Sequence, residues 1–364
     1  MESEHMLSNS SGKSHWTIHD IARETGVSAK TVSRVLNHKN GVGPEVRARI
    51  LRLMEEVGYQ PHIGARSLRS HQNACIGVAI PAPAEEVPVS QGFLLWLFTY
   101  LYDTFGSRGD FVAFDLNPFA AADGYDYGRG IWQQLFRACV IAGPLRAGDR
   151  VIERIHRSGI PYLSLGRLDS LPECSCATVD YEEGARLSAE YMIGRGHRRV
   201  AMLGGFGGFQ PGTERIRGHR RALEYADIAY DPELIRFVGF DSEGFAAGVH
   251  ELLADPTVTA LVDASGTENG PGLREGARRA GRVIGRDFEL VSWTYANNAA
   301  VVREATAHLW LPVRETAERG LGQLAEWLAG DREGPIRLLE MPQIDARPKE
   351  AEVPQPRRLF DLKA

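Results

Sequence analysis

The sequence predicts a two-part fold: a small all-α unit carrying a helix-turn-helix, followed by a larger α/β body of two parallel-sheet lobes. Three observations carry this. Two short amphipathic patterns with a Gly between them occupy Thr17–Asn37; from Cys75 onward short apolar runs alternate with helical stretches; and that alternation occurs in two similar blocks, before and after Val179-Asp180. With 364 residues the chain is too long for one typical domain.

The amino-terminal elements come first. Residues 1–15 are polar and read as a disordered tail, without the apolar core of a signal peptide. Thr17 is placed to cap a first helix, with Asp20 where a negative charge suits the helix dipole and Ile18, Ile21 and Ala22 forming its apolar face. Gly26 ends that helix, and Ser28 caps a second in which Val32, Val35 and Leu36 point inward. Ala29, Lys30, Ser33 and Arg34 are left pointing outward. Arg is the commonest bidentate reader of guanine, Lys does similar work or holds a phosphate, and Ala touches a thymine methyl. The second helix is therefore the expected recognition helix, with Ala29, Lys30 and Arg34 reading bases and Thr31 and Asn37 on the backbone. Thr17, Ser28 and Ser33 complete the expected DNA-facing set. A third helix fits Pro44–Val57, with Val46, Ile50, Leu53, Met54 and Val57 as its buried stripe. The DNA-binding domain is set at residues 16–60, a hinge and linker at 61–72.

The charge distribution agrees. Residues 1–72 hold ten Lys/Arg against seven Asp/Glu, whereas the whole chain has a formal net charge of −5. A mildly basic reader on an acidic body confines phosphate attraction to one end. Four cysteines make no disulfide framework, and Cys174-Ser175-Cys176 has no second Cys/His pair nearby, so it reads as a loop or strand edge rather than a zinc site. The greasiest stretch, Phe93–Leu101, is too short to span a membrane. A cytoplasmic protein without cofactor or metal is expected.

In the body, expected strands are Ile76–Ile80, Phe111–Asp115, Arg137–Ala142 and Ile160–Leu165, with helices at about Gln91–Ser107 and Arg150–Ser158. The second block offers a helix at Tyr181–Gly194, a strand at Arg199–Leu203, a helix at Arg215–Tyr225, and strands at Ala260–Val262 and Glu289–Trp293. These are two Rossmann-like lobes, about 73–179 and 181–308 with crossovers after 308, in a core ending near 345 before a tail at 346–364. Such a pair describes the periplasmic-binding-protein architecture, with a ligand cleft between opposed strand ends. Gly204-Gly205-Phe206-Gly207-Gly208 matches neither G-x-G-x-x-G nor a P-loop and is expected to wall that cleft. His197 and His219 are isolated and read as polar loop and helix-surface positions; no Ser-His-Asp set or metal cluster is found, so an enzyme is not expected.

Thr17–Arg69 resembles the headpiece of the lactose-repressor (LacI) family of bacterial transcription regulators, and the match continues through Val57-Gly58-Tyr59-Gln60-Pro61 and Ala65-Arg66-Ser67-Leu68-Arg69. Ile76-Gly77-Val78, Val179-Asp180-Tyr181-Glu182-Glu183-Gly184-Ala185 and the run from Gly196 to Gly205 extend it into the body. The resemblance implies that Ala65, Leu68 and Arg69 belong to a hinge helix that folds on operator DNA, with Leu68 wedging into the minor groove. It implies that Arg215, before Gly218, binds sugar hydroxyls or an acidic effector. Gly166-Arg167 is similar to a variant among saccharide-responsive members. Two positions depart from the pattern: Ser265-Gly266 stands where Asn-Asp is expected, and Trp293-Thr294-Tyr295 where Tyr-Asp-Asp is. The expected effector set is Arg215, Arg167, Phe240, Asp263, Ser265, Trp293 and Thr294, with Phe240 or Trp293 stacking on a sugar ring. The function implied is a repressor of carbohydrate-utilisation genes that binds a palindromic double-stranded operator as a homodimer, under a small-molecule effector. The tail from Gln343 shows no leucine heptads, so a coiled-coil tetramer is not expected. A transport-type sugar-binding protein, or a regulator with a non-sugar effector such as a purine, remain the alternatives.

Overall fold

The computed structural model describes residues 16–36, 39–59, 75–81, 91–115, 126–205, 207–239, 241–295 and 302–345. It comprises two compact units, 1–74 and 75–364.

In the first unit, helices α1 (Ile18–Glu24), α2 (Ala29–Leu36) and α3 (Pro44–Glu56) enclose Ile21, Ala22, Val32, Val35, Ile50 and Met54. The start of α1 is a reciprocal cap: the Thr17 hydroxyl accepts from the Asp20 amide at 3.3 Å, and the Asp20 carboxylate accepts from the Thr17 amide at 3.0 Å. The Ser28 hydroxyl accepts from the Thr31 amide at 3.1 Å and so caps α2. From α3, Arg47 donates to the carbonyls of Lys39 (2.8 Å) and Val35 (3.5 Å), tying the chain after α2 to the third helix.

The second unit has two six-stranded sheets. In lobe 1, β1 (Cys75–Ala79), β2 (Phe111–Asp115), β3 (Ala138–Ile141), β4 (Tyr162–Ser164) and β5 (Cys176–Val179) are joined by β11 (Arg337–Glu340) in the order β11-β5-β4-β3-β1-β2, all parallel. Helices α4 (Gln91–Phe105), α5 (Arg129–Trp132), α6 (Arg150–Ser158) and α11 (Val313–Ala329) accompany this sheet. Lobe 2 holds β6 (Val200–Gly204), β7 (Ile235–Phe237), β8 (Ala260–Ala264), β9 (Glu289–Thr294), β10 (Ala307–Trp310) and β12 (Gln343–Asp345), in the order β12-β10-β9-β8-β6-β7. Only β12 runs antiparallel to its neighbour. Its helices are α7 (Tyr181–Gly194), α8 (Gln210–Tyr225), α9 (Ser242–Leu253) and α10 (Gly270–Arg279). The chain passes between lobes three times: after β5, after β10, and between β11 and β12. These crossings follow from the strand order alone.

Several boundaries differ from the sequence expectation. Helix α8 begins at Gln210, five residues before Arg215, because Pro211 occupies its first turn, where a missing N–H costs nothing. Strand β8 runs on to Ala264, so Asp263 lies within the sheet. The segment from Cys176 is a strand between β4 and β11. His219, expected on a helix surface, is buried. The reason is the close approach of α7 and α8 at Gly218, where an added Cβ would lie 1.9 Å from the Glu182 carbonyl oxygen. Burial pushes the His219 imidazole down to about 4, so it is neutral near pH 7.

Candidate DNA interface and ligand pocket

On the first unit, α2 presents Lys30 and Arg34 four residues apart on one exposed face, and neither is paired with an acid among the described residues. Ala29, Thr31 and Ser33 are half-buried beside them. An unpaired cationic face on a helix anchored by Val32 and Val35 can meet phosphates and base edges without first breaking an internal ion pair. Thr17 and Ser28 are exposed, but their hydroxyls already serve the helix caps. Asn37, Ala65, Leu68 and Arg69 lie outside the described residues.

In the second unit, the carboxyl ends of β6, β8 and β9 bring Gly205, Ser265 and Tyr295 together around Arg215, where α/β sheets ordinarily bind ligands. Arg215 is fully buried in α8. Its guanidinium donates to the Gly205 carbonyl and the Tyr295 hydroxyl, each at 3.4 Å, and lies over the rings of Tyr181 (4.7 Å) and Trp293 (5.2 Å). Asp263 faces this cluster from β8. One of its oxygens accepts from the Ser265 hydroxyl at 2.6 Å and the Ser265 amide at 3.1 Å. Burial raises the Asp263 carboxyl to about 6, opposed by the Ser265 bonds and by Arg215. Glu268 closes the far side, accepting from the Thr294 hydroxyl (2.9 Å) and the Tyr295 amide (3.1 Å). The turn at Gly266 is specific to glycine, since φ is +72° and an added Cβ would fall 1.8 Å from the Tyr295 hydroxyl oxygen.

Two of the expected roles change on this geometry. Trp293 is 1% exposed, its ring stacked on Tyr181 at 6.4 Å and its indole N–H donating to Ser188 at 2.9 Å. It backs Arg215 rather than offering a free face to a sugar ring, because the interior of β9 leaves no open side. Arg167 sits apart from the Arg215 cluster in an interlobe ion pair, with Nε donating to Glu214 at 2.8 Å and one terminal nitrogen reaching Asp180 at 3.4 Å. Phe240 lies outside the described residues. Around Arg167 the two lobes touch repeatedly. Arg217 of α8 pairs with Asp169 and with Glu182 (2.9 Å), the Gln210 amide donates to the Leu145 carbonyl at 2.8 Å, and Arg146 lies over the Phe209 ring at 4.4 Å. Glu214 is 1% exposed, and its burial raises its carboxyl above the ordinary range despite Arg167.

Sequence reasoning missed Glu214, Glu268, Tyr181 and the part played by Tyr295. Glu214 stands one residue before Arg215, and its signal was masked when α8 was started too late. Glu268 carried none, since its role depends on a positive φ of 50° in an irregular loop.

A helix-turn-helix with an open cationic face, joined in one chain to a bilobed α/β unit with a polar cluster at its strand ends, defines a DNA-binding regulator of the ligand-sensing type. The comparisons agree. Residues 17–62 match the family described as bacterial regulatory proteins, lacI family. The HTH-type transcriptional regulator CelR of Thermobifida fusca is 26% identical over 331 residues, covering 89% of this chain and 95% of its own. Catabolite control protein A of Priestia megaterium is 22% identical over 316 residues, covering 86% and 92%. Among solved structures, the lac repressor dimer bound to operator and the anti-inducer ONPF superposes with a TM-score of 0.72 at 19% identity, covering 91% of this chain and 97% of that one. The CelR–cellobiose complex gives 0.62 at 22% identity, covering 91% and 98%. Residues 17–62 thus match the DNA-binding domain of the lacI family, and over most of its length the chain is similar to transcription regulators that carry that domain. Among the described residues no helix is long and apolar enough to cross a membrane.

Proposed function

We propose that the protein is a repressor of carbohydrate-utilisation genes, holding a palindromic operator as a homodimer and responding to a sugar or sugar derivative bound around Arg215. The observation that carries this reading is the buried Arg215 guanidinium among Asp263, Ser265 and Tyr295 at the strand ends: a planar cation beside carboxylate and hydroxyl groups suits vicinal hydroxyls. The relative solved with cellobiose supports a saccharide. A ligand that engages Arg215 takes the place now held by the Tyr295 hydroxyl or the Gly205 carbonyl, so binding is coupled to movement of the β9 end. That movement, passed to the interlobe pairs of Arg167 and Arg217, changes the lobe angle and hence the spacing of two recognition helices. A differential affinity of about 100-fold between the two lobe arrangements shifts operator occupancy by about 2.7 kcal/mol.

Dimerisation is supported by an exposed apolar stripe in lobe 1: Leu95, Phe98 and Tyr102 on α4 are 68%, 54% and 64% exposed, and Phe111 on the edge strand β2 is 55% exposed. A single helix-turn-helix covers one half-site, and a two-fold pair covers a palindrome. A second reading is a non-sugar effector such as a purine, whose carbonyl and ring-nitrogen acceptors a buried guanidinium also suits.

Calorimetric titration with mono- and disaccharides, sugar phosphates and purines, with operator fragments followed by footprinting, separates these readings. A saccharide that binds the native chain, fails to bind Arg215→Ala and shifts operator affinity supports the proposal; a purine doing so replaces it. DNA left unprotected at low salt, with and without ligands, refutes regulation by this route.

A further inference from the structure

We propose that a cavity on the flank of lobe 1, where β5 and β11 meet the start of α7 and the side of α8, is a second ligand site that takes a small organic phosphate. Its volume of about 420 Å³ is within the range of small-molecule sites, and none of Arg215, Asp263, Ser265 and Tyr295 lines it. The floor follows from strand register. Arg337 and Leu339 of β11 pair with Cys176 and Thr178 of β5, so these four side chains stand on one face of the sheet, and all four line the cavity. The loop after β4 supplies Asp169, Leu171 and Pro172, and lobe 2 supplies Glu182 and Arg217.

Three guanidiniums reach this space, and the chain neutralises them unequally. Arg167 is held by Glu214 at 2.8 Å and Asp180 at 3.4 Å. Arg217 pairs with Glu182 at 2.9 Å inside lobe 2 and with Asp169 across the lobe boundary. Arg337 is exposed on the edge strand, and its side chain has no acid or hydrogen-bond partner among the described residues.

Asp169 is the exchangeable member of this set. Its side chain is 48% exposed, so it swings into water at little cost, whereas Glu182 is held in the lining at 27%. A phosphate dianion entering the cavity takes over the contact that Asp169 makes with Arg217 and meets the uncommitted Arg337, and guanidinium groups match phosphate oxygens in pairs of hydrogen bonds. The remaining lining sets the other half of the ligand. Leu171, Pro172 and the 45%-exposed Leu339 offer an apolar surface to a ring or hydrocarbon body, which inorganic phosphate leaves unused. Arg337 belongs to lobe 1 and Arg217 to lobe 2, so an occupied cavity trades the tie between Asp169 and Arg217 for one made through the ligand, and its affinity depends on the spacing of the lobes.

The probe is phenyl phosphate, titrated calorimetrically into the full chain at constant ionic strength. Saturable binding is expected with a Kd of about 1 mM or below, and inorganic phosphate should displace the ester. Arg337→Gln should weaken binding at least about tenfold. Because the Arg337 side chain makes no bond among the described residues, this variant should melt as the native chain does. Asp169→Asn should tighten binding about threefold by freeing Arg217. Glu326→Gln, the same change of charge at an exposed position of α11, should not. The proposal is overturned if no saturable heat appears up to about 10 mM, or if inorganic phosphate fails to displace the probe. It is equally overturned if Asp169→Asn and Glu326→Gln change the affinity alike, or if Arg337→Gln binds as well as the native chain; loss of binding in Arg215→Ala alone would then move the ligand to the Arg215 cluster.

Discussion

The recognition helix and the Arg215 cluster both put arginine at the centre of a site, yet they treat it in opposite ways. Arg34 and Lys30 stand exposed on α2 with no acid partner among the described residues. Arg215 is fully buried, with aromatic faces, a carbonyl and a hydroxyl around it. A surface that meets a dense row of phosphates gains by leaving its cations unpaired, because the partner supplies the counter-charge and releases its own counterions. A buried site cannot leave a charge bare in a low dielectric, so the protein furnishes partners, which on the proposed reading a ligand would displace. Charge removal should therefore damage stability at one site and binding at the other.

The largest effect is expected at the ion pair beside the cluster. Glu214→Ala removes a 1%-exposed carboxylate and leaves Arg167 with only the longer contact to Asp180. Breaking such a pair by deleting one partner should cost about 3 kcal/mol or more in urea unfolding. An unchanged midpoint would mean that the lobes are held by their backbone contacts near Leu145 and Phe209 rather than by charge.

Next comes the pH dependence of Asp263. Its carboxyl is raised to about 6 in the folded chain, against roughly 3.9 in an unfolded one, so the folded state binds more protons between these values. Its contribution to stability is thus greatest below about pH 4 and is lost as pH rises through 6, by an amount on the order of 2–3 kcal/mol. Asp263→Asn keeps an acceptor for Ser265 and should flatten that part of the stability profile. A slope identical in both proteins would assign the effect to another group.

At the DNA face the pattern inverts. Arg34→Ala should leave the melting of the chain within about 0.5 kcal/mol of the original and weaken operator binding by about 1–3 kcal/mol, roughly 5- to 150-fold. Measuring both quantities on one preparation is the sharpest test of the contrast. A variant that lost stability along with binding would show that Arg34 holds the turn after α2, as Arg47 does through the carbonyls of Val35 and Lys39.

The same contrast explains what could be read from the sequence. The first unit is local: caps at Thr17 and Ser28, apolar periodicity and an outward cationic face all lie within some twenty residues, and the structure keeps each of them. The two lobes were legible because buried parallel strands are written as short apolar runs. Strand order was not, since nothing in Arg337–Glu340 announces that it returns to lobe 1 beside β5 while Gln343–Asp345 pairs with β10. The Arg215 cluster was half legible. Arg215, Asp263, Ser265 and Thr294 fall at one end of the lobe 2 sheet as expected, but the partners that satisfy them, Glu268 and Tyr295, depend on a loop conformation no periodicity encodes. Trp293 was misjudged for a related reason: an aromatic at a strand end can face out or in, and only the packing of Tyr181 and Ser188 decides.

The smallest effect concerns Thr17, a helix cap that the sequence also places among the expected DNA-facing residues. Its hydroxyl accepts from the Asp20 amide and donates to the Asp20 carboxylate at 2.7 Å, and Asp20 in turn holds Arg23 at 2.7 Å. Thr17→Ala removes the hydroxyl but keeps the Asp20 bond to the residue 17 amide, so the loss should be about 1 kcal/mol of stability in the first unit. Thr17→Ser retains both hydroxyl bonds and should recover most of it. If the hydroxyl serves only the cap, operator affinity in Thr17→Ala should fall no further than this loss of folded headpiece explains, and the salt dependence of binding should be unchanged. A deficit in affinity at temperatures where the headpiece is fully folded would instead show that Thr17 also reaches the DNA backbone, which would place a shared residue between the two strategies that α2 and the Arg215 cluster otherwise keep apart.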